Sequence, residues 1–176
     1  MKQYVTYVAS PLGKLTILSD GESIIGLWIE KQKYYGSLLD HPVERKIPVL
    51  LEAEKWLNDY FAGKKPQLTF SVRFNATPFR QMVYEQLLKI PYGKVMSYDQ
   101  LAAIIALKTG KKKCAQAIGQ AVGHNPISII VPCHRLVGKD GSLKGYAGGL
   151  ENKKKLLELE GANLTTLYGS SNQSHV

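Results

Sequence analysis

Cysteine is scarce in this sequence of 176 residues, and long apolar runs are missing. The two cysteines, Cys114 and Cys133, are too few for the disulfide framework of a small secreted domain. No stretch approaches the ~20 consecutive apolar residues of a membrane-spanning helix, and residues 1–4 lack the apolar core of a signal peptide. We therefore expect a cytoplasmic protein without a membrane anchor.

Acidic side chains are the second shortage. Against 23 lysines and arginines stand 14 aspartates and glutamates, which gives a formal net charge of +9. Residues 91–176 hold 11 of the basic and 5 of the acidic side chains, with a peak at Lys111, Lys112 and Lys113. The excess favours an anionic partner, although a solvated loop explains the lysine triplet equally well. The hydrophobic content of 44% excludes a mainly disordered chain.

The N-terminal part is patterned as a small α/β domain over residues 1–76. Residues 4–9, 14–18 and 23–30 are rich in β-branched and aromatic side chains and are separated by turn signals, which predicts antiparallel strands. Residues 31–47 are expected to be a loop. Helical spacing of apolar residues begins at Pro48 and ends near Gly63, and residues 68–74 alternate as a strand does.

The C-terminal part, residues 77–168, is predicted to be mainly helical. Thr77 and Pro78 open one helix, and the capping box of Ser97 and Gln100 opens another at Tyr98. A third helix over residues 114–122 completes a helix-turn-helix pattern. A buried strand over 127–131 and a helix over 152–160 follow, and residues 169–176 are expected to be a disordered tail. The predicted class is α+β.

The third helix carries an unusual face of small residues, Ala115, Ala117 and Gly119. Such a face allows either tight packing between helices or the close approach of a binding partner. The pattern alone favours the packing interpretation.

Cys133 is the centre of the chemical argument. A single cysteine is most often a small buried hydrophobe, but this one follows a predicted strand and Pro132 and precedes His134 and Arg135. Cationic neighbours lower a thiol pKa towards the thiolate, and a glycine-rich loop at 145–149 offers backbone donors to a leaving group. A thiolate at Cys133 beside His134 suggests nucleophilic catalysis, which includes hydrolysis as in cysteine proteases. The spacing of Cys133 and His134 does not suit zinc, and we expect no metal.

The segment 130–138, with Pro-Cys-His-Arg at 132–135, resembles the active-site signature of the O6-methylguanine-DNA methyltransferases, also called methylated-DNA–protein-cysteine methyltransferases, of bacterial type. The resemblance extends in family order through shorter motifs at 77–79, 90–93, 97–98, 117–119, 125–126, 145–149 and 160–161. It is strong from about residue 77 to 161 and weaker but compatible earlier.

The resemblance implies a ribonuclease-H-like N-terminal domain and a C-terminal domain that binds duplex DNA through its helix-turn-helix. It implies DNA repair by irreversible, single-turnover transfer of an alkyl group from a flipped O6-alkylguanine to Cys133, without a cofactor. A monomer is expected, and acceptance of O4-alkylthymine is left open.

The resemblance also implies roles for individual residues. Cys133 would be activated through water by His134, whose basicity Glu160 would raise; Tyr98 would donate to the base, and Asn125 would tie the recognition helix to the active-site strand. The expected substrate-binding residues are Tyr98, Cys133, Leu136, Tyr146 and Ala147. The expected DNA contacts are Ser97, Tyr98, Ala115, Gln116, Ala117, Gly119, Arg135 and Lys139.

The sequence departs from the family pattern at Gln116, where an arginine usually takes the place of the flipped base. We expect slower repair or weaker DNA binding as a result. The lysines of the turn at 108–113 are expected to replace part of the missing charge through phosphate contacts. Two alternatives remain: an alkyltransferase-like protein, which binds lesions without repair and lacks the cysteine, and a Cys/His hydrolase.

Overall fold

Residues 2–169 are described by a computed structural model and form two compact units. Residues 2–75 and 126–130 make the first unit, and residues 76–125 and 131–169 make the second. The predicted α+β class is confirmed. The sequence division at residue 76 assigns residues 126–130 to the C-terminal domain, whereas the structure places them in the first unit. Apart from Gly169, the tail expected at 169–176 lies outside the described residues.

A four-stranded sheet forms the first unit, in the order β3-β2-β1-β4. β1 (Tyr4–Val8) pairs antiparallel with β2 (Leu15–Ser19), which pairs antiparallel with β3 (Ile24–Ile29). β4 (Val43–Glu44) adds a short parallel edge to β1, within a stretch that the sequence predicted to be loop. Every residue of β2 and β3 is buried, which accounts for their nearly continuous apolar sequences.

Helix α1 (Pro48–Phe61) packs on this sheet. Pro48 stands at the first helical position, where its missing N–H costs nothing. Leu50, Ala53, Leu57 and Tyr60 recur at helical spacing and are fully buried, so the apolar stripe predicted from the sequence is the face that forms the core.

Two predicted strands are wrong. Residues 68–74 contribute one bridge, Val72 to Ile24, and residues 127–131 contribute one bridge, Ile127 to Leu27. The second segment is buried as expected, but Ile130 N donates to Ser128 O at 2.8 Å and Ile129 has φ of 71°. These local turns replace a strand ladder, because an extended chain has no left-handed residue.

The second unit contains the other four α-helices described: α2 (Pro78–Leu87), α3 (Tyr98–Thr109), α4 (Ala115–Gly123) and α5 (Leu150–Leu159). Thr77 caps α2, and Ser97 and Gln100 form the predicted capping box of α3. The expected order of helix, turn and helix is present as α3 and α4. β5 (Met96–Ser97) and β6 (Leu136–Val137) make the short strand pair of this unit, in parallel.

Within residues 2–169, no helix combines the length and the apolar character needed to cross a membrane.

Candidate active site

A short 3-10 helix, Cys133–Arg135, presents the residues of the candidate site. Pro132 precedes it, and Cys133 N donates to Val131 O at 2.8 Å. The chain therefore turns at the cysteine instead of continuing as a strand. This turn removes the alternation of side chains that an extended segment would impose on Cys133 and His134.

The Cys133 thiol is buried, with 1% of the residue exposed. Asn125 Nδ2 lies 3.2 Å from Sγ and also donates to Val131 O at 3.0 Å. Burial raises the pKa of the thiol to about 11, while the hydrogen bond from Asn125 and the charge of Lys153 act in the opposite direction. The lowering of the thiol pKa that was expected from cationic neighbours is outweighed here by desolvation. In the protein without DNA, Cys133 is therefore a buried, protonated thiol.

Four donors surround the Glu160 carboxylate at the end of α5. Oε1 accepts from Gly93 N and Arg135 Nε, both at 2.9 Å, and Oε2 accepts from His134 Nε2 at 2.7 Å and Arg135 Nη2 at 3.0 Å. Although burial opposes the charge, the hydrogen bonds and charges of His134 and Arg135 hold the pKa of Glu160 well below its usual range. Glu160 is thus a buried carboxylate in its charged form.

His134 is fully buried, and its ring is oriented by Glu160. Because the carboxylate only accepts, Nε2 carries the proton, and Nδ1 has no partner among the described residues. Burial lowers the pKa of His134 below 6.5, with Glu160 opposing and Arg135 reinforcing the shift. The expectation that Glu160 raises the basicity of His134 holds for that one contact but not for the net effect. A neutral imidazole with an open Nδ1 acceptor is the result.

Arg135 is not available for DNA. Only 8% of the residue is exposed, and besides Glu160 its guanidinium donates to Ile90 O at 2.6 Å. Ser97 is also buried, and its hydroxyl accepts from Gln100 N as the cap of α3. The structure therefore argues against the DNA contacts expected of these two residues, since a helix cap and a buried ion pair occupy their polar groups.

Lys153 was missed by the sequence analysis. The residue is completely buried on α5, its Nζ donates to Lys144 O at 3.1 Å, and it lies 5.5 Å from the centre of the Tyr98 ring. Burial lowers its pKa to about 8, and the Cys133 site acts against that shift. Its position three residues before Leu156, on the apolar face of the helix, was the signal that could have identified it.

Tyr98 and the glycine-rich loop lie together. Tyr98 Oη donates to Gly145 O at 3.1 Å, and burial raises the pKa of the phenol to about 12, so it remains a neutral donor. Tyr146 packs edge-on to His134 with ring centres 6.4 Å apart. Ala147 and Leu136 are buried as well. Four of the five residues expected to hold a substrate are thus buried: Cys133, Leu136, Tyr146 and Ala147.

Helix α4 turns its small residues outward. Ala115, Gln116 and Gly119 are exposed, and a Cβ added at Gly119 would meet nothing within 4 Å. The buried residues of α4 are instead Ile118, Ala121 and Val122. Tight helix packing therefore does not explain Gly119. Ala117 is half-buried, and Lys139 is exposed after β6.

Residues 2–169 contain no cluster of three or more histidine, cysteine or acidic side chains that could hold a metal ion.

Two family descriptions match most of the chain. Residues 3–74 match the ribonuclease-like domain of 6-O-methylguanine DNA methyltransferase, and residues 78–162 match its DNA binding domain. A methylated-DNA–protein-cysteine methyltransferase of Haemophilus influenzae is 41% identical over 158 residues, covering 89% of this chain and 86% of the relative. The constitutive enzyme of that name from Bacillus subtilis is 36% identical over 160 residues, covering 89% and 94%.

Solved structures give the same result. The O6-methylguanine methyltransferase of Mycobacterium tuberculosis superposes with a TM-score of 0.78 at 39% identity, covering 90% of this chain and 93% of that one. A structure described as the OGT protein of the same organism in complex with DNA has a TM-score of 0.78 at 37% identity, covering 92% and 93%.

Proposed function

The chain belongs to the 6-O-methylguanine DNA methyltransferase family, and on that premise we propose that it repairs duplex DNA by moving the methyl group of O6-methylguanine onto Cys133. The observation that carries the proposal is the buried Cys133 thiol beside Asn125. The next residue of the same turn is His134, whose ring is oriented by its hydrogen bond to Glu160. The expected cytoplasmic location and monomeric state belong to the proposal, and the free state of Cys114 and Cys133 suits a reducing compartment.

The transfer is a single displacement. Sγ of Cys133 forms a bond to the methyl carbon while the bond from that carbon to O6 of guanine breaks, and the electron pair stays on the base. The thiol proton leaves towards Nδ1 of His134, which is an acceptor because Nε2 donates to Glu160. The guanine anion then takes up a proton in place of the methyl group while His134 gives its extra proton up, so the net products are a neutral base and a thioether beside a neutral His134. The thioether has no route of return, which makes the protein single-turnover.

Groups around Cys133 act on the thiol in opposite directions. Asn125 and Lys153 both favour the thiolate, and burial alone opposes it. Tyr98, a neutral donor at physiological pH, suits stabilisation of negative charge that develops on the departing guanine. Its present acceptor, Gly145 O, would be exchanged for the base.

Duplex binding is assigned to α4. Its exposed face of small residues supports close approach to a groove of the DNA, and the exposed Gln116 would fill the gap left by the flipped base. The presence of Cys133 opposes the alternative of a lesion-binding module that does not repair. The outward face of α4 opposes a hydrolase, which has no use for it.

Mass spectrometry of the protein after incubation with duplex DNA containing O6-methylguanine tests the proposal. We expect one methyl group on the peptide that holds Cys133, an unmodified Cys114 peptide, and a reaction that stops at one equivalent. Cys114→Ser is the matched control and should react as the original chain does, whereas Cys133→Ser should gain no mass. Tight binding without a mass change would instead show a lesion-binding module.

A further inference from the structure

Two ammonium groups converge on the carboxylate of Asp99. Lys113 Nζ lies 2.5 Å from Oδ1, and Lys139 Nζ lies 3.7 Å from Oδ2. The three residues come from three places in the second unit: the first turn of α3, the residue pair before α4, and the turn after β6. The hydrogen bond and charge of Lys113, followed by the charge of Lys139, hold the pKa of Asp99 below its usual value.

This arrangement contributes little to stability. The side chains are 40%, 47% and 77% exposed for Asp99, Lys113 and Lys139, and ion pairs at that exposure are worth little in water. What the arrangement does is hold two lysines, distant in sequence, around one pair of anionic oxygens. Two such donors around a pair of oxygens match the geometry of a phosphate group.

The position of the cluster relates it to the nucleic acid. Asp99 follows Tyr98 directly, and Lys113 is two residues before Ala115, the first residue of the outward-facing helix α4. A duplex that seats α4 in a groove brings its phosphates to the ends of the helix and the adjoining turns. The lysine cluster is therefore where a backbone phosphate is expected.

Lys139 and the lysines of the turn at 108–113 are expected DNA contacts already, and we propose that Asp99 acts on them as a competing internal anion, which occupies Lys113 and Lys139 when DNA is absent. The proposal rests on the DNA-binding function above. Asp99 holds both lysines in place but must yield them to the phosphate, so it lowers affinity for every duplex, damaged or not. In a chain with a net charge of +9, this competition limits binding to undamaged DNA.

The test is the affinity of Asp99→Asn for an undamaged duplex, measured by fluorescence anisotropy over a series of salt concentrations. We expect binding about three- to tenfold tighter at low salt, because two cations lose their internal partner. The plot of log K against log salt should steepen by about 0.9 for each additional phosphate that the lysines neutralise. Glu85→Gln removes the same charge from an exposed position on α2 and should change affinity much less.

A double-variant background isolates this competition. With Lys113→Gln and Lys139→Gln in place, the further change Asp99→Asn should leave the affinity unchanged. The proposal is overturned if Asp99→Asn binds no more tightly than the original chain, if Glu85→Gln tightens binding as much, or if the tighter binding persists without the lysines. Methyl uptake by the original chain from O6-methylguanine DNA is a separate readout, so loss of the competition and loss of the repair function are distinguishable.

Discussion

The reactivity of Cys133 depends on a balance between burial and two neighbours. Burial raises the pKa of the thiol to about 11, and Asn125 and Lys153 oppose it. Lys153 itself has a pKa of about 8 because it is buried. Above that pH it loses its charge and no longer lowers the pKa of Cys133. The nucleophile therefore depends on an amine that is fully charged only below its own lowered pKa.

Lys153→Met should shift the pH dependence of Cys133 alkylation to higher pH. Methionine fills the buried volume without a charge, so the thiolate loses one of the two groups that favour it. We expect the rate at neutral pH to fall by about tenfold, which corresponds to about one unit of pKa. Iodoacetamide labelling at a series of pH values, with the Cys133 peptide quantified by mass spectrometry, measures the shift.

Lys154→Met is the matched control, because Lys154 is the exposed neighbour on the same helix and carries the same charge. Its profile should coincide with that of the original chain. Equal shifts in the two variants would assign the effect to net charge and contradict the role given to Lys153.

Gln116 is the second residue whose side chain leads to a testable prediction, here on repair rate and DNA binding. It is exposed on α4, at the position where the family resemblance implies an arginine, so Gln116→Arg should speed repair or tighten binding to O6-methylguanine DNA. We expect about a tenfold gain in one of these quantities, since a guanidinium adds charge at the site of base extrusion. Single-turnover transfer rates and anisotropy measure the two separately, and no gain in either would reject the idea.

At the scale of elements, the nine residues of α4 have one face that packs in the core and one face that is open to a partner. Ile118, Ala121 and Val122 pack inward, and Tyr84 Oη donates to Ala121 O at 2.7 Å, while Gly119 faces open space. Glycine in the middle of a helix costs about 0.5–1 kcal/mol relative to alanine. Since no contact among residues 2–169 requires glycine at position 119, its cost to the helix is consistent with a demand from the DNA.

Gly119→Ala should therefore raise the free energy of unfolding by about 0.4–1 kcal/mol, while Gly119→Leu should weaken DNA binding without loss of folding. The larger side chain projects into space that is open in the protein but is needed by the groove wall. Urea unfolding and duplex binding, measured on both variants, separate the two effects. If Gly119→Leu binds the duplex as well as the original chain does, α4 is not part of the DNA interface.

Local signals explain which elements could be predicted from the sequence. The caps at Thr77 and Ser97 and the apolar spacing of α1 depend on neighbours within four residues, and these helices begin where predicted. The segment 127–131 is apolar enough for a strand, but its bridge partner Leu27 lies 100 residues earlier. No local pattern reports such a partner or the left-handed backbone of Ile129.

The same limit applies within the candidate site. Cys133 and His134 were identifiable because they are adjacent and belong to a motif. Arg135 as a DNA contact stays a prediction, which was based on the usual position of a positive charge at the surface. The fold instead buries Arg135 and bonds its guanidinium to Glu160, 25 residues further along the chain. Burial, which sets the pKa values of Cys133 and Lys153, is likewise a property of the fold.

For the whole molecule, the Glu160 cluster couples folding to pH. The pKa of Glu160 is lowered in the folded state, so its stabilisation is present above the unfolded value near 4.5 and is lost as the pH falls. The pKa of His134 is lowered from 6.5, so protonation of the unfolded chain favours unfolding below that pH. Both effects lower the free energy of unfolding as the pH falls.

We therefore expect the free energy of unfolding to decrease as the pH falls from about 7, and more steeply below about 4.5. Urea titrations monitored by circular dichroism between pH 8 and pH 4 measure it. His134→Gln should flatten the upper part of the curve, because glutamine does not titrate. Stability that is constant down to pH 5 in the original chain would contradict the assignment of a neutral, buried His134.

The five residues 126–130 have a consequence for the order in which the chain acquires its structure during synthesis. They belong to the first unit, yet they leave the ribosome 50 residues after residue 75. At typical elongation rates that interval lasts about 3–10 s, during which the first unit lacks its last segment. Cys133 belongs to the second unit and is synthesised only three residues after this segment, so the first unit receives its last residues just before the nucleophile is made.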